Sequence, residues 1–145
     1  MPAITKMFNT AKNGHPHPNC LLCGHENPWS FQLRFILGEG GKVSARFHGR
    51  NELQGYDGIL HGGVIAALLD SVMTNCLFQH EVRAVTADLR IRYRHPIPAT
   101  AELELCAGIE FVKTPLYIMK AEIRQNNKSM ATASAKFIRI TEENH

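Results

Sequence analysis

No secretory leader is expected from the opening residues. MPAITKMFNT carries no apolar core behind its Lys6, so nothing in it matches a signal peptide, and a cytoplasmic protein is the expectation. No long apolar run is present either. The longest, near residues 64–78, holds Asp70 and Asn75. It reads as too short and too polar at its centre for a bilayer, which asks for about 20 apolar residues. No internal repeat and no linker interrupts the 145 residues, so one domain with one sizeable core is expected over 1–145. Cysteine is scarce: Cys20, Cys23, Cys76 and Cys106. Without a leader, an even count does not imply disulfides. Cys76 and Cys106 sit among apolar neighbours and read as small core residues. The excess of positive charge is small, +3 with a pI near 8.8. That favours an anionic ligand and excludes the strongly basic composition of a nucleic-acid tail.

What is present is ordinary globular composition, 44% hydrophobic and 20% charged, with two periodicities. Residues 1–30 are rich in Pro, Gly, Asn and His and read as an irregular segment, with a short helix near Ile4–Ala11. From Phe31 the pattern alternates. Phe31, Leu33 and Phe35 oppose Gln32 and Arg34, then GEGG makes a turn, and Val43, Ala45 and Phe47 oppose Ser44, Arg46 and His48. This predicts a hairpin of two half-buried strands. The Gly-rich loop 49–60 follows, then HGG, then the apolar run. Its apolar residues fall nearly all round a helix, which predicts burial on most sides. Period two then returns in four further strands: Leu89, Ile91 and Tyr93 against Arg90, Arg92 and Arg94; Leu103–Phe111; Tyr117–Ile123; and 129–140. The fold class expected is α+β: an antiparallel sheet wrapped around one long central helix.

The stretch GILHGGVIAALLD places Gly58, His61, Gly62, Gly63 and Asp70 in the order G-x-x-H-G-G-x6-D. With the strand and helix order, this resembles the hotdog-fold thioesterases, in particular the PaaI-like (phenylacetyl-CoA thioesterase-like) branch. CLLCGHENP is similar to the C-x-x-C-G-x-x-N-P opening of one PaaI-like subgroup, and YRHPIP to its strand ending. The resemblance covers roughly residues 20–140. It implies a hotdog fold, acyl-CoA thioester hydrolysis, homodimers or dimers of dimers with sites at the subunit interface, and no cofactor. It also implies a hydroxyl residue at Thr86 that positions water. The branch often carries Asn or Gln six residues before the His. Here that position is Gly55, with Asn51 and Gln54 as the nearest substitutes.

The residues argue for the same chemistry independently. A helix N-terminus offers unpaired N–H groups and partial positive charge, and glycine lets a ligand approach the backbone. Gly62 and Gly63 are therefore candidate donors to a thioester carbonyl and its developing oxyanion. Asp70, a carboxylate in an apolar helix, is the candidate nucleophile or general base. It follows Gly62 by just over two turns, roughly 12 Å along a helix axis. One chain cannot bring both to one carbonyl, and a symmetric dimer can. His61 is a candidate to bond the thioester or orient the loop. Arg90, Arg92 and Arg94 on one strand face suit the phosphates of coenzyme A. A non-catalytic hotdog module that binds acyl-CoA is the alternative function. Neither nucleic acid nor a membrane is expected as a partner. His15, His17, Cys20, Cys23 and His25 are ligand types for zinc, but a second Cys or His pair downstream is missing, so no metal is expected.

Overall fold

The computed structural model describes residues 6–7 and 17–141. Its centre is helix α1, Gly62–Gln79. Leu68, Leu69, Val72, Met73, Cys76 and Leu77 have no solvent exposure. A helix apolar on so many sides needs a cover that curves. The strands are β1 (Lys6–Met7), β2 (Ile36–Leu37), β3 (Val43–His48), β4 (Ala84–Tyr93), β5 (Glu102–Lys113), β6 (Leu116–Gln125) and β7 (Lys128–Arg139). They form one antiparallel sheet in the order β1-β2-β3-β5-β6-β7-β4. One face is the core side: Val43, Leu105, Met119, Ile123 and Phe137 point inward and are fully buried. The intervening residues face out, as period two requires.

The chain path places α1 between β3 and β4, so the crossover carries β4 to the far edge of the sheet, beside β7 alone. Among the described residues, the other edge of this ten-residue strand is open. Its register slips between Thr86 and Asp88. Before the slip Thr86 pairs with buried Phe137; after it Asp88, Arg90 and Arg92 pair with the outward Lys136, Ser134 and Thr132. With strict alternation Thr86 would share the face of Asp88 and Arg90. The bulge at Ala87 turns it to the helix side.

The sequence expectations meet three corrections. The strand expected from Phe31 does not pair in the sheet until Ile36. Phe31 and Leu33 instead donate their backbone N–H groups to the carbonyls of Leu21 (2.8 Å) and Leu22 (3.0 Å). Gln32 stands at φ 54°, which breaks the extended run. The inward side chains were legible, and the pairing partner was not. The helix expected near Ile4–Ala11 lies largely outside the described residues, and its described part, Lys6–Met7, is a strand. Finally, α1 is longer than its apolar run and is, by length and composition alone, able to cross a membrane. Its packing under the sheet accounts for the same apolarity.

Leu68 is fully enclosed between α1 and the sheet. Leu68→Ala should cost about 3 kcal/mol in urea-induced unfolding, the sum of lost transfer energy and a cavity. A cost under about 1 kcal/mol would mean that the helix does not pack as described.

Candidate active site

Two clusters lie along the seam between α1 and β4. The first is at the helix N-terminus. His61 is the N-cap residue, and its Nδ1 accepts the Gly63 N–H at 2.8 Å. The N–H groups of Val64 and Ile65 donate to the His61 carbonyl. The Gly62 N–H has no acceptor among the described residues. It is the one orphan donor of the first turn, and it points where the helix dipole is positive. The Tyr93 hydroxyl donates to the Gly62 carbonyl at 2.9 Å, tying this end of the helix to the end of β4. A depression of about 570 Å³ opens here, lined by Tyr56, Ile59, His61, Gly62, Tyr93 and Arg94. Most of this lining is apolar, with a few convergent polar groups, the usual character of a small-molecule site.

The second cluster is Asp70 with Thr86. The Thr86 hydroxyl donates to Asp70 Oδ1 at 2.5 Å, the short distance expected for a hydroxyl on a carboxylate. Asp70 is half-buried in the single chain, so the sheet alone does not enclose the carboxylate. Thr86 is exposed at the open edge. One Asp70 oxygen is thus held by a hydroxyl while the carboxylate still faces the seam.

The structure redistributes several sequence candidates. Gly63 is not a free donor, because the His61 ring takes its N–H; of the two glycines, Gly62 keeps an N–H without an acceptor among the described residues. A Cβ at Gly63 would stand 3.0 Å from His61 Nδ1, whereas one at Gly62 would only touch Tyr93, at 3.7 Å. Gln54 does not reach the depression. Its Oε1 accepts the Gly58 N–H at 2.9 Å and folds the turn that Gly58 closes at φ 78°. Asn51 opens an exposed 3-10 turn, Asn51–Leu53, and is equally remote from the lining. Gly55 lies under His61. Arg90 and Arg92 stand on the outer face of the sheet, turned away from α1, in a trough of about 740 Å³. Arg94, beyond the strand end, borders both the trough and the depression. Tyr93 was missed as a functional residue. Its alternation with arginines marked it as an inward apolar side chain, and only its hydroxyl, just before a proline-broken strand end, hinted at a second use.

One helix wrapped by an antiparallel sheet, capped by His-Gly-Gly, is the hotdog fold. The family described as the thioesterase superfamily matches residues 57–131, and the chain belongs to it. Acyl-coenzyme A thioesterase THEM4 of Mus musculus is 31% identical over 99 residues, covering 67% of this chain and 43% of that protein. The chain thus spans less than half the length of that relative. Among solved structures, the PaaI protein of the E. coli phenylacetic acid degradation operon superposes with a TM-score of 0.71 at 19% identity, covering 77% of this chain and 81% of that one. A hypothetical thioesterase with coenzyme A from Streptococcus pneumoniae superposes at 0.66 and 18% identity, covering 68% and 81%. These two share the fold.

Because Nδ1 of His61 is an acceptor, its neutral ring carries the proton on Nε2. Long-range ¹⁵N–¹H correlation spectra should show this tautomer. His61→Ala should lose about 1 kcal/mol of stability, as loss of a side-chain cap does. A proton on Nδ1, or unchanged stability, would contradict the cap.

Proposed function

We propose that the chain hydrolyses acyl-CoA thioesters at a site built from two copies of itself. The observation that carries the reading is the split of the chemistry along one open edge. The orphan Gly62 N–H and the Asp70–Thr86 pair lie on the same seam but over two helical turns apart, roughly 12 Å. The edge of β4 beside them has no partner strand among the described residues and exposes Val85 and Tyr93 at 52% each. An open, partly apolar ten-residue edge is a template for pairing with another strand. Antiparallel pairing of two β4 strands about a two-fold axis near Leu89–Arg90 sets Thr86 of one copy across from Tyr93 of the other. Asp70 of one copy then faces the helix N-terminus of the other. The minimum assembly is a homodimer, and a dimer of dimers would keep both sites.

In that site the thioester carbonyl oxygen sits at the Gly62 N–H, which stabilises the oxyanion as the carbonyl carbon becomes tetrahedral. His61 Nε2–H is a second donor at the same mouth. Asp70 either attacks the carbonyl carbon, giving a mixed anhydride that water then opens, or takes a proton from the water that attacks. Thr86 holds one Asp70 oxygen and so aims the other. The thiolate of coenzyme A leaves and is protonated; the products are a carboxylic acid and the free thiol. Arg94, at the border of the depression, meets the phosphates, and Arg90 and Arg92 extend that positive charge along the outer face. The thioesterase named above with coenzyme A, and the acyl-CoA activity in the name of the mouse relative, support this substrate class.

The test follows thiol release from an acyl-CoA panel. Asp70→Asn should reduce turnover at least ~10²-fold, the range for a lost positioned acid–base group, with the fold intact. Near-normal turnover in that variant would remove Asp70 from the chemistry. Acyl-CoA binding without turnover by the wild type would leave a non-catalytic binder.

Shared sites also predict rescue. Asp70→Asn and Gly62→Val chains, each inactive, should regain about a quarter of wild-type activity when refolded together, since about half of randomly formed dimers are mixed and each mixed dimer keeps one intact site. No recovery in a mixture that mass spectrometry shows to contain heterodimers would place the whole site within one chain.

A further inference from the structure

We propose that His17, Cys20 and Cys23 form a zinc-class metal site that staples the N-terminal segment to the core. The ligand atoms of these three residues all lie within 4.8 Å of one another. His17 Nδ1 stands 3.5 Å from Cys23 Sγ. Zinc bond lengths of about 2.3 Å to sulfur and about 2.0 Å to nitrogen at a tetrahedral angle ask for an S···N separation of about 3.5 Å. Two of the three donors therefore already stand at coordination distance, and the third lies within 4.8 Å of both. The sequence reading looked for a second ligand pair downstream of the C-x-x-C; the third donor lies upstream instead.

The surroundings are built for sulfur ligands. The Leu22 N–H donates to Cys20 Sγ at 3.3 Å, and the Asn75 side-chain amide, 1% exposed, points its Nδ2 at Cys23 Sγ at 3.6 Å. Such outer-shell donors stabilise thiolate charge and orient the ligands of a metal. The loop that carries the cysteines is closed by a tight turn. A Cβ on Gly24 would come within 2.4 Å of the Cys20 nitrogen and the Pro18 carbonyl, so only glycine fits there. The His17 ring packs against Phe78 of α1, with centroids 4.8 Å apart. A coordinated thiol is deprotonated outright, so metal uptake should release protons.

Two thiolates and an imidazole select zinc, with cobalt(II) as its spectroscopic substitute, over magnesium or calcium. The described residues supply three donors in this cluster. The remaining tetrahedral position falls to water. The role is structural. Leu21 and Leu22, between the cysteines, provide the carbonyls that hold Phe31 and Leu33, so a metal here would fix the segment that leads into β2.

The full chain, purified without an affinity tag under reducing conditions from zinc-supplemented cells, decides the matter by elemental analysis. One zinc per chain is expected. Exchange for cobalt(II) should give the near-ultraviolet sulfur-to-cobalt charge-transfer band, and a strong chelator should lower Tm. Cys20→Ser with Cys23→Ser should abolish both the zinc and the band, and His17→Asn should weaken retention at least tenfold. Wild-type chain with no zinc above background and no cobalt band would overturn the proposal, whether or not the variants fold. So would one zinc per chain persisting in a folded double variant.

Discussion

α1 places Leu68 and Leu69, Val72 and Met73, Cys76 and Leu77 in successive turns, and none of them touches water. A flat sheet covers one stripe of such a helix and leaves the rest to solvent, at about 25 cal/mol for each Å² of apolar surface left wet. The sheet must therefore curl, and its strands turn alternate residues inward. The crossover through α1 then has to end at the far edge. The edge position of β4, and with it the whole seam where the candidate chemistry lies, follows from covering this helix.

That seam resolves the oddity of a carboxylate in an apolar helix. Asp70 is not sealed in the core; it is half-buried, with one oxygen held by Thr86. The cost of placing charge inside a protein is avoided because the wrap stops there. Thr86 reaches it only because β4 carries one extra residue at Ala87. The same bulge leaves the arginines on the outer face. A single insertion in the ladder thus separates the hydroxyl that serves the carboxylate from the cations that suit phosphates.

The N-terminal side shows local and tertiary forces in competition. Phe31, Leu33 and Phe35 carry the alternation of a strand, and their side chains do pack inward. Their backbone groups have two possible partners, the sheet edge and the CLLCG loop. The loop takes the N–H groups of Phe31 and Leu33, with Gln32 turned into the left-handed region between these two bonds. Periodicity reports which face is buried and is silent on which acceptor the N–H finds, since any extended backbone offers the same donors.

Much of this protein is legible without coordinates. The buried helix, the four strands that follow it, the His-Gly-Gly at its start and Asp70 as the isolated carboxylate all follow from side-chain period and residue chemistry, which act over a few residues. Other features belong to the tertiary structure. That the Gly63 N–H is spent on His61, that Gln54 folds a turn instead of lining the site, that Tyr93 ties β4 to the helix end, and that His17 meets Cys23 are contacts between atoms whose separation is set by packing. The helix-side position of Thr86 is the sharpest case. Its alternation with Asp88 and Arg90 assigns it to the outer face, and the ladder with β7, built from residues some fifty positions downstream, inserts the bulge that turns it inward. A strand's own sequence sets a period of two, but only its partner strand decides where that period slips.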